Sequence, residues 1–215
     1  MAVKDSMSAL SGLAFNLWRG PWCGLASPWQ WWDVEGIGAL FVGNQGRALR
    51  GGNMSDNTST PDHVAFLRLA IAESRLARAA GNHPFASILV GPDGEILMRQ
   101  HNAFMPEHDM TGHAERVLMT RASKSLPPEI LRNSTIYTSA EPCAMCAGAI
   151  YWAGLGRVVY GLSEARLKEI TGDHPENPTL DLPCRTVFAA GQRPVEVVGP
   201  LLEDEAAEIH DGMWG

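Results

Sequence analysis

The chain has 215 residues, 45% of them hydrophobic and 19% charged, with a formal net charge of −7. That size supports one domain, or one domain with an appendage, around a sizeable core. Residues 1–53 hold four basic and three acidic residues, leaving 13 basic against 21 acidic in residues 54–215, a balance poorly suited to gripping a phosphate backbone by bulk electrostatics.

Residues 1–57 read as a tryptophan-rich extension. Five of the seven tryptophans, Trp18, Trp22, Trp29, Trp31 and Trp32, lie among glycines and prolines with no helical or strand period. The stretch "RALRGGNMSDNTSTPDH" then forms a polar linker containing Met54. The extension is expected to be disordered or non-native, with Met54 the natural start. The alternative is a lid or partner-binding arm, because aromatics are costly to leave exposed. "LSGLAFNLW" is short and no small-x-small cleavage site follows it, so it makes a poor signal peptide. No run approaches the roughly 18 apolar residues of a membrane span.

Residues 58–215 are expected to form one domain. Thr60 caps a helix with Pro61 at its first position, Ala65, Leu69, Ala72 and Leu76 give its apolar stripe, and Gly81 follows its last turn. Leu67 and Ile71 fall off that stripe, which implies cover on more than one side. "FASILVG", the turn "PDG" and "EILMRQH" predict a β-hairpin. A helix opens at Gly112–His113 and runs to about Lys124. "TIYTS" is a buried strand and "PCAMCAGAIYWAG" a helix headed by Pro142. "GRVVYG", "SEARLKEI", "VEVVG" and "DEAAEIH" then read as strand, helix, strand and helix. This alternation after a hairpin predicts a mixed, partly parallel sheet with helices on both faces.

Four cysteines occur, Cys23, Cys143, Cys146 and Cys184. They are too few and too clustered for a secreted disulfide scaffold and fit a reducing compartment, so the expected location is the cytoplasm. Cys143 and Cys146 form a C-x-x-C pair at a helix N-terminus, where thiolates are favoured. Alone, that pair is ambiguous among a redox dithiol, half of a structural zinc site and a catalytic metal site. A four-cysteine module fails because Cys23 and Cys184 are isolated. A redox dithiol leaves "TGHAERVLMT" unexplained.

In that stretch His113 and Glu115 stand two residues apart and diverge by about 200° around a helix. They cannot make the one-faced grip of H-E-x-x-H and must have different tasks. With Cys143 and Cys146, His113 completes three ligands for zinc and leaves a fourth position for water. Zinc lowers the pKa of that water. Glu115 suits the proton carrier, taking a proton from the water and delivering it to a ring nitrogen and then to a departing amine.

The "HAE" and "PCAMC" pair resembles the H-x-E…P-C-x-x-C signature of the cytidine/deoxycytidylate deaminase superfamily. Within it, "HDMTGHAE", "EPCAMCAGAI" and "GRVVYG" are similar to the branch of guanine deaminase, yeast-type cytosine deaminase and the tRNA adenosine deaminases. The resemblance spans roughly residues 60–200. It implies a three-layer α/β/α sandwich with a mixed five-stranded sheet, zinc between two helix N-termini, and a homodimer. It places Asn102 at a substrate amide contact and Phe85 on the pocket wall, with Ala86 where the family carries glycine. The backbone amides of Ala114 and Cys143 would face the substrate ring. Trp152 looks like the base-pocket tryptophan of guanine deaminase. "EIHDGMWG" resembles a closing C-terminal segment, with Trp214 as lid and Asp211 as hydrogen-bond acceptor. A second acidic residue is expected past the strand after the cysteine helix, and Asp173 is the candidate. His63, His83, His101, His108, His174 and His210 have no ligand spacing to one another and read as surface or structural groups.

The implied activity is deamination of a small free base such as guanine, isocytosine, cytosine or an aminotriazine. Nucleic acid and membrane are not expected partners. The alternatives are tRNA adenosine editing, suggested by "PCAMCAGAI" and "GRVVYG", and an inactive zinc-binding interaction module working through the Trp-rich arm. Removing residues 1–53 should leave kcat/KM for ammonia release within about threefold, under about 1 kcal/mol. A collapse of activity in that truncation would make the arm part of the working protein.

Overall fold

The computed structural model describes residues 62–172 and 174–214. The expectations for residues 1–57, for Thr60 and Pro61, and for Asp173 lie outside these residues. The first helix, α1 (His63–Ala79), is capped by Asp62, whose side chain accepts the Ala65 amide at 3.0 Å. Gly81 follows with φ +81°, the left-handed conformation that ends helices. The buried stripe differs from the expected one: α1 buries Leu67, Ala70, Ile71, Ser74 and Ala77. Ala65, Leu69, Ala72 and Leu76 are exposed. Apolar residues surround this helix, so two stripes satisfy a 3.6-residue period. The stripe that packs offers Leu67 and Ile71 among three small residues, which lets the helix approach the sheet closely.

The hairpin forms as expected from β1 (Ala86–Val90) and β2 (Ile96–His101). It is followed by α2 (Ala114–Ser125), α3 (Pro128–Asn133), β3 (Thr135–Ala140), α4 (Ala144–Trp152) and β4 (Arg157–Leu162). Then come α5 (Glu164–Thr171), α6 (Cys184–Ala189), β5 (Glu196–Val198), α7 (Glu203–Ala207) and a 3₁₀ turn at Glu208–His210. The short helices α3 and α6 have six residues each, less than two turns, and carry no readable period.

The five strands lie in the order β2-β1-β3-β4-β5. Strand β1 is antiparallel to β2 and β3, whereas β3, β4 and β5 run parallel. One face packs Leu118, Met119 and Ala122 of α2, Ala147 and Ile150 of α4 and Phe188 of α6 against Ile136 and Val158. The other packs Leu67 and Ile71 of α1, Leu167 of α5 and Ala206 of α7 against Ile88, Tyr137 and Val159. The result is a three-layer α/β/α sandwich. Cover on both faces explains why β1 and β3 are buried at every position and read as continuous rather than alternating runs.

The sheet topology sets where a ligand can sit. The carboxyl ends of β3 and β4 lie at one edge, and because β1 is antiparallel to β3 the start of β1 and the end of β2 come to the same edge. Open α/β sheets bind ligands at such carboxyl ends. Gly156, one residue before β4, has no room for a side chain: a Cβ there would run into the Arg132 carbonyl oxygen at the end of α3. Gly156→Ala should therefore cost about 1–3 kcal/mol, the usual penalty of overpacking, read as a lowered urea midpoint. An unchanged midpoint would mean that the α3 end yields freely.

Candidate active site

Two helix starts converge at that edge. His113 is the N-cap of α2 and Cys143 the N-cap of α4. Both have extended backbone (φ −63°, ψ 142° and φ −60°, ψ 169°), and neither side chain makes a cap hydrogen bond. N-cap positions ordinarily favour Ser, Thr, Asp or Asn, which satisfy the free helix amides. Here the side chains turn toward one another instead, joined by Cys146 from the first turn of α4. Their ligand atoms all lie within 4.8 Å of one another.

The donor set fits zinc. Bonds of about 2.3 Å to sulfur and about 2.0–2.1 Å to nitrogen at a tetrahedral angle put the two atoms about 3.5–3.6 Å apart. Cys143 Sγ and His113 Nδ1 are 3.6 Å apart. The Cys146 thiol, then His113, hold the Cys143 thiol down to about 4, while burial alone would raise it. Cys146 is pushed the other way, by the Cys143 thiolate and by burial. Metal binding needs both sulfurs as thiolates and would release the protons they hold.

Glu115 sits in the first turn of α2 and is 5% exposed. Thr138 Oγ1 on β3 donates to Glu115 Oε1 at 2.8 Å, and Ser87 of β1 donates to Thr138 Oγ1 at 3.0 Å. Burial raises the Glu115 carboxyl above its ordinary range, opposed by His113 and by the Thr138 hydrogen bond.

His113, Glu115 and Cys143 line a cavity of about 220 Å³. Phe85 and Met145 line it too, as do Glu164, Leu167 and the segment 177–180. None of these lining residues is a lysine or arginine. A narrower recess, lined in part by Phe85, Asn102 and His113, adjoins it. Asn102 is buried, and its Oδ1 accepts the Phe104 amide at 2.9 Å, which leaves the Nδ2 protons to donate. Ala114 is buried at the first position of α2, where backbone amides lack intrahelical partners.

Three expected contacts lie elsewhere. Trp152 ends the nine-residue α4, about 13 Å along the axis from Cys143. It is 85% exposed and lines neither cavity. Asp211 is also exposed, and its carbonyl, not its carboxylate, is engaged, by Arg78 at 2.9 Å. Trp214 stands behind Phe85, ring centroids 6.3 Å apart, instead of over the cavity. It stacks on His210 (6.0 Å, 18°) and its Nε1 donates to His210 Nδ1 at 3.1 Å. His210 is 2% exposed, and burial lowers its pKa to about 4, so it is the neutral acceptor this bond requires. Sequence reasoning misses Thr138 and Glu164, whereas His210, read as surface or structural, is a buried structural group. Glu164 stands two residues past the carboxyl end of the parallel strand β4, a position that the topology could have flagged.

The cytidine and deoxycytidylate deaminase zinc-binding region matches residues 60–162. A probable cytosine deaminase of Schizosaccharomyces pombe is 40% identical over 161 residues, 75% of this chain and 98% of that protein. The chain belongs to the cytidine and deoxycytidylate deaminase family. A tRNA-specific adenosine deaminase of Bacillus subtilis is 36% identical to this deaminase over 96 residues, 45% of this chain and 59% of that one. The solved guanine deaminase of Nitrosomonas europaea shares the fold, with a TM-score of 0.56 and 23% identity over 78% of this chain and 96% of that one. Membership makes the protein a zinc-binding hydrolase that cleaves C–N bonds.

The purified deaminase should hold about one zinc per chain, and His113→Ala, Cys143→Ala and Cys146→Ala should each lose most of it. Full occupancy in the Cys146 variant, measured by atomic absorption, would remove that residue from the ligand set.

Proposed function

We propose that this deaminase releases ammonia from a small free nucleobase or analogue of the guanine, isocytosine, cytosine or aminotriazine type. The observation that carries the reading is the cavity itself. At about 220 Å³ it is smaller than the roughly 300–1,000 Å³ of drug-sized sites, and among the described residues no lysine or arginine lines it to hold a phosphate. His113, Cys143 and Cys146 would hold the zinc, which supplies an acidified water when bound. Glu115 then carries protons, accepting from the water and delivering first to a ring nitrogen and then to the amine, which departs as ammonia. Thr138 aims its carboxylate. Asn102 Nδ2 and the amides of Ala114 and Cys143 donate to the ring's acceptors, and Phe85 packs beside its face. Trp214 contributes by backing Phe85.

The similarity to tRNA adenosine deaminase supports a second reading, in which a flipped adenosine enters from RNA. The acidic balance of residues 54–215 and a described cavity lining without lysine or arginine weigh against it. A homodimer in the cytoplasm belongs to the favoured reading through the family resemblance. No described helix is long and apolar enough to cross a membrane.

An ammonia-release screen over free bases, nucleosides, triazines and tRNA tests the proposal, with turnover expected on a free base or triazine. In that assay Glu115→Gln should keep its zinc and lose about 10²–10⁴-fold in kcat, the scale of general acid–base catalysis. Inosine appearing in tRNA, with no free base consumed, would establish the editing reading instead.

A further inference from the structure

The cavity has two walls of different origin. The metal-side wall comes from α2 and α4, which pack on one face of the sheet. The facing wall includes Glu164 and Leu167 of α5, a helix that packs on the other face. Two carboxylates follow the parallel strands at this edge, Glu141 after β3 and Glu164 after β4. They are not equivalent. Glu141 is fully engaged with backbone: its Oε1 accepts the Cys184 amide at 3.0 Å and its Oε2 the Glu164 amide at 3.1 Å. That clamp fixes the Glu164 backbone. The Glu164 residue is itself 7% exposed, yet its carboxylate receives none of the side-chain or backbone hydrogen bonds found among the described residues, and it faces the cavity. Beside it, the Thr179 hydroxyl is buried without a partner on the same cavity lining.

A buried carboxylate that only accepts needs N–H donors, and among the described residues no lysine or arginine of the lining supplies them. We infer that Glu164 is a specificity residue that accepts the ring N–H a free base keeps and a nucleoside lacks. The inference rests on the free-base reading. The carbon losing its amine must face the wall of His113 and Glu115, so the opposite side of the ring faces α5. In cytosine that opposite side carries N1, across the ring from C4, and in guanine it carries N9, across the bicycle from C2, the nitrogens to which a sugar is attached in the nucleosides. A free base offers Glu164 an N–H there. A nucleoside offers no proton and drives its ribose against a carboxylate clamped by Glu141. Sites built to hydrogen-bond a group reject analogues without it by as much as about 10⁴–10⁵-fold.

The test compares kcat/KM for cytosine and guanine with that for 1-methylcytosine and 9-methylguanine. The wild-type protein should prefer the unmethylated form of its best base by at least about 100-fold. Glu164→Gln, isosteric and with its amide clamp intact, should cut that ratio at least about tenfold, mainly through KM for the free base. Zinc content and thermal midpoint should stay as in the wild type. If Glu164→Gln does not fold, the ratio is read on Glu164→Asp, whose shorter reach should lower it at least about threefold. An unchanged ratio in the folded variant overturns the inference and leaves free-base deamination standing. Wild-type turnover of nucleosides or tRNA alone, or of no base at all, overturns both.

Discussion

The site depends on two helices beginning at the same place. His113 and Cys143 occupy the N-caps of α2 and α4, positions where a polar side chain normally closes over its own free amides. Both residues give up that stabilisation, worth about 1 kcal/mol each, and point across the gap. The helix dipoles offset part of the cost, because two partially positive ends favour the thiolate that forms at Cys143. The backbone makes this convergence inevitable. Strand β3 feeds α4 directly, and α2 packs on α4 over the same sheet face through Leu118, Met119, Ala147 and Ile150. A one-turn displacement of either helix would carry its cap residue about 5.4 Å away, farther than the 4.8 Å that encloses the three ligand atoms.

The cavity's remaining walls are held by parts of the chain far from the metal ligands. Phe85, at the start of β1, is packed from behind by His210 (5.2 Å) and Trp214 (6.3 Å). That tail is itself tied to α1 by Arg78, which donates to the carbonyls of Ile209 and Asp211 at 2.7 and 2.9 Å. The aromatic wall is thus rigid because the C-terminal turn is anchored to the first helix. Glu141 performs the same service at the other side, joining β3, α5 and α6 through two backbone amides.

What could be read in the sequence follows from how local the signal was. The hairpin, the strand-helix alternation and the metal trio were legible, because turn residues, periodicity and ligand spacing are properties of short segments. The α1 stripe was misread because leucine and alanine occur all round that helix, and only the sheet decides which side is buried. Trp152 was placed in the pocket by analogy, but a residue at the far end of α4 cannot reach a site at its start within one chain. Glu164 carries no motif. Its significance appears when β4 is seen to end beside β3, which brings residues 141 and 164 to one edge and lets the first clamp the second.

The chemistry of the donor set also explains how this edge tolerates so many acids. Glu115, Glu141 and Glu164 are all at most 7% exposed, and burial is the largest cause raising both Glu115 and, to about 7, Glu164. Burying unpaired carboxylates would ordinarily cost several kcal/mol. Three separate devices reduce that cost. Glu141 is satisfied by backbone amides, Glu115 by Thr138, and Glu164, until a ring N–H reaches it, by taking up a proton readily. A dication bound by two thiolates and a neutral imidazole has almost no net charge, so it adds little attraction to hold these carboxylates ionised. A site of three imidazoles would leave two positive charges beside Glu115 and pull its proton away. Two cysteines and one histidine leave a buried carboxylate able both to accept and to release one, which is the property that moving a proton from water to a leaving amine requires.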